Sequence, residues 1–477
     1  MTTASACQLL IEPLSPLVLR SGRPFGATGQ TGSASGSSTP LPGTMAGTLR
    51  AAWCDAQGYL PYDQDSDIDR LHLHGPLQAT WGDHGGHGGH GGHGGAGGPA
   101  QAKLWLPPPA NARAVQGRES AVALRPTLAP AGAGCDLPFG MLPLLPPAAP
   151  RARLDLPPPG LWSLPAVVDW LLERGAVQAR APWQTSPLLA LPQCAEPVHI
   201  RTDASRQVEE GAFFVNLACD YTLPSDQAAR HGCRGLWLRC EVPALTPRQL
   251  AARTPPTAAD DLLRGFDGVA GQAWRLGADG ALACVSRADS NEQIGHAELA
   301  RLDTTLAALK AGGALCLVLA TPGCFGRNGW YPWLRRDELA ARGTNGRRLP
   351  LPSQPVPEGR LLGWPPGWRF RLRAAAVGAP VPQGSLKARS GREAKPLPQA
   401  RRQQPGPHTA ANGLGQLQWL VPAGSMYWFE VLQTGEPPAP GSLQLRPCSE
   451  AQFARDGHAL ALYAAAPALP LPAGPAA

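Results

Sequence analysis

Lysine is almost missing from this chain. Only Lys103, Lys310, Lys387 and Lys395 occur, against 38 arginines. None of the four follows a glycine, so no phosphate-cradling P-loop is present. Other local signatures are missing too. The Gly26–Gly36 segment is glycine-rich but lacks G-x-G-x-x-G spacing and a later ribose-binding acid. Gly32 to Gly36 reads G-S-A-S-G, with Ala34 where a nucleophile elbow needs serine. His296-Ala297-Glu298 falls short of H-E-x-x-H. These absences weigh against an enzyme built on a local motif without settling the question, and a site assembled from distant residues stays open.

Eleven cysteines are scattered without a C-x-x-C pair, the closest two being Cys233 and Cys240. That spacing argues against a zinc knuckle or a disulfide framework and for free thiols in a reducing cytosol. The first ten residues lack the basic and apolar regions of a signal peptide. No uninterrupted apolar run of about 18 residues appears. The expectation is a soluble, cytoplasmic protein with no membrane contact.

What the chain does have is length, loops and arginine. Its 477 residues suffice for two or three domains, and 43% are hydrophobic. The 54 prolines and 56 glycines predict long loops around a compact core. Net charge is only +7, but residues 325–402 hold 16 Arg or Lys against four acids. One basic region on a near-neutral protein fits a polyanion footprint. An arginine-biased, GC-rich genome explains the composition equally well.

Cys7–Pro13 reads as a strand ended by proline, and Leu17–Arg20 as a second extended piece. A helix is predicted from Thr44, as N-cap, to about Gln57, on the spacing of Met45, Leu49 and Trp53. Further helices are predicted over 165–175, 260–268 and 291–310. The last carries the stripe Ile294, Leu299, Leu302, Leu306 and Leu309 and is stopped by Gly312-Gly313. Strands are predicted over 211–221, 235–242, 273–276, 281–286, 314–320, 369–375, 416–421 and 425–432. Residues 277–280 carry a hairpin signal. The irregular mixture of strands and helices indicates an α+β fold.

Two segments stand apart. Residues 82–98 repeat histidine (His84, His87, His90, His93) between glycine pairs, and this stretch is expected to be disordered. Its imidazoles could bind a transition metal, but glycine spacers leave ligands unorganised, which favours a slippage insertion. Residues 380–413 form a Pro/Gly/Arg-rich connection too long for a tight loop. His72 and His74 alternate as a metal pair would, yet have no third ligand nearby, so surface histidines are the stronger reading. Nothing else implies a metal or cofactor.

Three blocks then carry a family resemblance. Leu17-Val18-Leu19-Arg20-Ser21-Gly22-Arg23-Pro24-Phe25-Gly26 is an Arg-x-Gly-Arg-Pro-Phe turn after a strand. Pro40-Leu41-Pro42-Gly43-Thr44-Met45-Ala46-Gly47-Thr48-Leu49-Arg50 is a proline-rich helix entry ending in Gly-x-x-Arg. Val421-Pro422-Ala423-Gly424-Ser425-Met426-Tyr427-Trp428-Phe429-Glu430 is a late turn and strand. In this order they resemble the RAMP-superfamily, Cas5-like family that supplies subunit three of the type III-B Cmr CRISPR effector complex. Leu319–Gly323, Gly329–Pro332, His199–Asp203 and Glu210–Ala212 add to the likeness.

The resemblance implies two ferredoxin-like (RRM-type) modules with large loop insertions, read as residues 1–245 and 246–477. It implies a non-catalytic subunit in antiviral defence that grips the 5′ handle of the guide RNA. It also implies docking on the large polymerase-like subunit beside neighbouring RAMP backbone subunits. A backbone grip needs cations and approachable amides. Arg20, Arg23 and Arg50, the loop cations Lys387, Arg389, Arg392 and Lys395, and the Gly424-Ser425 strand entrance answer that need. Tyr427 and Phe429 share one strand face, Met426 and Trp428 the other; base stacking is open to them, core packing the stronger reading. The rivals are a RAMP endoribonuclease cutting the repeat transcript, which needs a general acid/base, and a metal-handling protein using the histidine insert.

Overall fold

A computed structural model describes residues 5–19, 32–33, 39–58, 68–82, 102–128, 141–146, 153–172, 181–185, 188–196, 198–202, 208–215, 217–243, 259–276, 281–288, 294–325, 334–335, 358–384, 417–449 and 451–470. The histidine insert lies outside these apart from Gly82, and so does most of the 380–413 connection.

The first strand, β1 (Ser5–Pro13), explains the sheet it sits in. Leu9 and Ile11 enter one apolar cluster while Leu10 enters another, so both faces of the strand are covered. Its partners follow along the chain as β2 (His72–Trp81), β3 (Lys103–Leu106), β4 (Trp162–Ser163), β5 (Cys233–Val242), β6 (Ala273–Arg275) and β7 (Leu282–Ala288). Their order in the sheet is β4-β3-β2-β5-β1-β7-β6, antiparallel throughout. Helix α1 (Pro42–Ala56) covers the Leu9 face with Met45, Leu49 and Trp53. It starts two residues before Thr44: Leu41 is the N-cap without a side-chain bond, and Pro42 occupies the first turn. Proline fits there because its missing N–H is one the helix leaves unpaired anyway.

On the other face, α2 (Leu164–Leu172) supplies Val167, Val168 and Trp170. Between β5 and β7 lies a short α3 (Ala259–Arg264). The expected domain boundary at 245 therefore falls inside this sheet. β7 pairs with β1 from Gln8↔Ala288 to Pro13↔Ala283, and β1 would otherwise be an open edge. The hairpin expected at 277–280 is flanked by the paired strands β6 and β7, while those four residues lie outside the described ones.

Helix α4 (His296–Leu306) is shorter than predicted, beginning behind Gly295, which adopts φ +77°. Its buried Leu299, Leu302 and Leu306 lie on the predicted stripe. The second sheet comprises β8 (Ala314–Leu319), β9 (Leu334–Arg335), β10 (Glu358–Leu361), β11 (Arg369–Ala376), β12 (Met426–Gln433), β13 (Arg446–Pro447) and β14 (Leu460–Ala466). Its order is β9-β10-β11-β12-β8-β14-β13. A four-residue helix, α5 (Ala451–Ala454), precedes β14.

The two sheets repeat one arrangement. In the first, the central strands in chain order are β1, β2, β5 and β7, and they lie second-third-first-fourth. In the second, β8, β11, β12 and β14 lie in that same order. Among these, α1 joins first to second strand and α3 joins third to fourth in the first sheet, and α5 joins third to fourth in the second. The α+β expectation holds. No described helix is long and apolar enough to cross a membrane.

One apolar cluster links the sheets. Leu10, Leu77 and Trp237 of the first share it with α2, with Leu299 and Leu302 of α4, and with Leu460 and Leu462 of β14. Two further clusters line the second sheet: Leu315, Leu317, Tyr427 and Phe429 on one face, Cys316, Met426 and Trp428 on the other.

Candidate nucleic-acid interface

The sequence-predicted binding residues divide by what is described. Arg20, Arg23, Lys387, Arg389, Arg392 and Lys395 lie outside the described residues. What precedes the first turn is described: Leu17–Val18 pairs with Ala218–Cys219, and Leu19 is buried in the α1 cluster. At the 385–416 segment, the strands Val381–Gly384 and Leu417–Leu420 pair antiparallel, so its two ends meet at Gly384↔Leu417.

Arg50 faces the second sheet. Its Nη1 donates to Asp456 Oδ1 at 2.6 Å, and its Nη2 donates to the carbonyls of Leu71 at 3.1 Å and Arg455 at 3.4 Å. Close by, the Leu73 amide donates to the Arg455 carbonyl at 2.8 Å. Gly457 approaches so tightly that a Cβ there would lie 2.3 Å from the Gly75 carbonyl oxygen. Arg50 thus belongs to a seam between the two halves.

Gly424 and Ser425 also turn inward, unlike the phosphate-facing expectation. The Gly424 amide donates to the Leu319 carbonyl at 2.7 Å, and its own carbonyl accepts from the Ala110 amide at 2.8 Å. Glycine is required here, since φ is +85° and a Cβ would sit 2.7 Å from the Pro108 carbonyl oxygen. Ser425 is 1% exposed, its hydroxyl without a hydrogen-bond partner. The aromatic residues beside it, Tyr427, Trp428 and Phe429, are buried on both strand faces and cannot stack bases in this state.

Part of the basic region is neutralised from within. Glu430 on β12 takes Arg373 at 2.8 Å and Arg371 at 3.4 Å, and Arg371 also pairs with Glu358. His74 is buried rather than on the surface, with Nε2 3.5 Å from Glu241 Oε2. Burial, and then Arg446 and Arg239, hold it well below its ordinary pKa. Glu241 also pairs with Arg446 of the second sheet. Among the described residues no group of three His, Cys, Asp or Glu could hold a metal.

Sequence reasoning missed one cation. Arg234 opens β5 and is 4% exposed. Its Nε donates to Gln78 Oε1 at 2.9 Å, and its guanidinium carbon lies 5.4 Å from the Tyr221 ring centre. Its Nη2 has no partner. Register places Arg234 opposite Thr80, and Thr80 opposite the exposed Lys103. Trp105 donates to Thr80 Oγ1 at 2.9 Å and meets the His231 ring edge-on at 5.1 Å. Neither His231 ring nitrogen has a partner.

Two solved structures resemble the fold. A cryo-EM structure of Type III-B Cmr-beta bound to cognate target RNA and AMPPnP, state 1, matches with TM-score 0.36 and 10% identity, covering 88% of this chain and 86% of that one. A Type III-B Cmr-beta bound to cognate target RNA matches with TM-score 0.34, 12% identity and the same coverage. No curated relative matches. The family profile of the CRISPR-associated protein Cas_Cmr3 matches residues 9–464, from the first strand of the first sheet to the last strand of the second. The chain belongs to the Cas_Cmr3 family of CRISPR-associated proteins.

Proposed function

We propose that this protein is a non-catalytic, RNA-holding subunit of a type III-B CRISPR effector complex. It grips the 5′ handle of the guide RNA and docks on the large polymerase-like subunit beside neighbouring RAMP subunits. The family match over residues 9–464 carries this reading. The repeated second-third-first-fourth strand order supports describing each half as a ferredoxin-like (RRM-type) module, with the first extended to Ala288.

Within the proposal the cations have different tasks. Arg20 and Arg23 follow a strand whose next residue, Leu19, is buried, so the turn leaves a fixed base. They make positioned phosphate contacts. Lys387, Arg389, Arg392 and Lys395 lie in the segment between two paired strands whose near ends meet at Gly384↔Leu417, and act as a diffuse counter-charge. Arg50 and Gly424 support the grip indirectly by holding the halves in register, and the buried Ser425 supports it by packing beside Gly424.

The test is guide-RNA binding across a salt series, in the complex co-assembled with the large subunit. Arg23→Ala should weaken binding and reduce the log–log salt slope by roughly 0.7, the value for one lost single-strand phosphate contact. Single changes in the 387–395 group should do little, and the quadruple alanine variant should reduce the slope by a larger amount. Wild-type binding by Arg23→Ala at every salt concentration would make the turn a packing element. Specific cutting of repeat RNA, abolished by a single histidine substitution, would replace the holding role with an endoribonuclease.

A further inference from the structure

We infer that the cross-strand row Lys103–Thr80–Arg234, walled by Tyr221, Trp105 and His231, is a binding site for a phosphate group of single-stranded RNA, with Arg234 as its buried anchor. The inference rests on the RNA-holding reading for the identity of the ligand, not for the existence of the site.

No carboxylate among the described residues pairs with Arg234. An unpaired buried guanidinium is strongly disfavoured. Arg234 is 4% exposed, and the neighbours that act on its charge are Tyr221 and Cys194, neither a carboxylate. Burial pushes its pKa down to about 10, a penalty that a bound anion would remove. Burial, Lys103 and Arg230 all lower the pKa of His231, and no acid among the described residues offsets them. The chain re-enters the described fold at Thr39, whose Oγ1 accepts from Gln78 Nε2 at 3.4 Å. The preceding residues 20–38 contain no Asp or Glu, so that segment brings no carboxylate to Gln78 and Arg234.

The row is also built to hold an anion at a defined place. Gln78 accepts from Arg234 Nε and so turns the guanidinium, leaving Nη2 free. Trp105 donates to Thr80 Oγ1, leaving the hydroxyl proton free to donate. The sheet sets Arg234, Thr80 and Lys103 side by side across three adjacent strands, the first two buried and Lys103 exposed. Gly235 lets the backbone close behind Arg234: a Cβ there would lie 2.2 Å from the Ile11 carbonyl oxygen. Arginine over lysine at the buried end suits a planar, directional grip on phosphate oxygens.

The test uses the full-length chain, a labelled single-stranded oligoribonucleotide and, separately, inorganic phosphate. Arg234→Met should weaken RNA binding by about ten- to a hundredfold, the range for hydrogen bonds to a charged group. Its thermal midpoint without ligand should equal or exceed wild type, because an uncompensated charge has been removed. Lys103→Ala, at an exposed position, should fold normally and lower the salt slope by roughly 0.7. Inorganic phosphate should raise the wild-type midpoint more than chloride at equal ionic strength, and should not do so for Arg234→Met. A lowered midpoint for Arg234→Met with unchanged binding per folded molecule would make Arg234 a packing residue and overturn the inference. So would wild-type RNA binding by both variants. If the wild type binds no RNA yet phosphate still stabilises it through Arg234, the phosphate site stands and the RNA-holding reading falls. If neither ligand acts, both fall.

Discussion

The Arg50 guanidinium lies 2.6 Å from the Asp456 carboxylate and joins the first helix to a turn before the last strand. The same side chain closes on the Leu71 and Arg455 carbonyls. Part-exposed pairs contribute up to about 1 kcal/mol, and each carbonyl bond about as much again. Arg50→Ala should therefore cost about 2–3 kcal/mol and Asp456→Ala about 1 kcal/mol. Urea unfolding of both singles and the double should show coupling between them. Unchanged stability of Arg50→Ala with weakened RNA binding would return Arg50 to the phosphate contacts.

Gly424 docks the turn before β12 on the Pro107-Pro108 segment after β3. Gly424→Ala should destabilise by about 1–3 kcal/mol, since a left-handed backbone and a crowded Cβ are both unfavourable. Circular dichroism melts measure this. A melt that matches wild type would mean that Pro108 moves aside freely.

Stability should fall on mild acidification. Burial pushes the His458 pKa down to about 4, against the opposing pull of Asp456 and the Pro322 carbonyl. The folded value lies below the unfolded value of about 6.5, so the unfolded chain takes up the proton first as pH drops. The neutral ring's contribution is complete above about pH 6.5 and is lost progressively toward pH 4. Between pH 7.5 and 5.0 the loss from His458 is about 2 kcal/mol. His74, lowered by burial and two arginines, acts in the same direction. Urea midpoints at the two pH values should converge in His458→Gln. An equal drop in wild type and variant would remove His458 as the cause.

Deleting residues 83–98 should leave RNA binding intact. β2 and β3 pair at Thr80↔Lys103, and the remaining linker still closes that hairpin. A roughly fourfold shorter loop should add about 1 kcal/mol of stability by the loop-closure rule. Lost binding in an oligoribonucleotide assay would make the histidine insert functional.

Elements with one clear pattern were legible. The apolar runs of β1, β5 and β8 and the leucine stripe of α4 are read directly from sequence. β2 was hidden because Gly75-Pro76 interrupts its pattern. β14 was hidden because alanine-rich Leu460–Ala466 has weak strand propensity and gains its place from burial on the sheet. The return of Leu282–Ala288 to β1 was not legible because strand pairing, not composition, makes it. At the candidate site, charge and motif pointed to the turn and the loop. Arg234 gave one faint signal, an arginine opening the apolar run Gly235-Leu236-Trp237-Leu238. Its missing carboxylate is visible only when β2, β3 and β5 lie side by side.

The cluster joining Leu10 to Leu462 sets an order on synthesis. As the chain leaves the ribosome, the first sheet can pair once Ala288 is out, with α2 covering only part of the Leu10 face. The rest of that face stays open until α4 and then β14 have emerged. A nascent or C-terminally truncated chain therefore displays an apolar sheet face to the cell, where chaperones and partner subunits compete for it. Loss of even the last strand should yield an aggregating fragment, not a smaller folded protein.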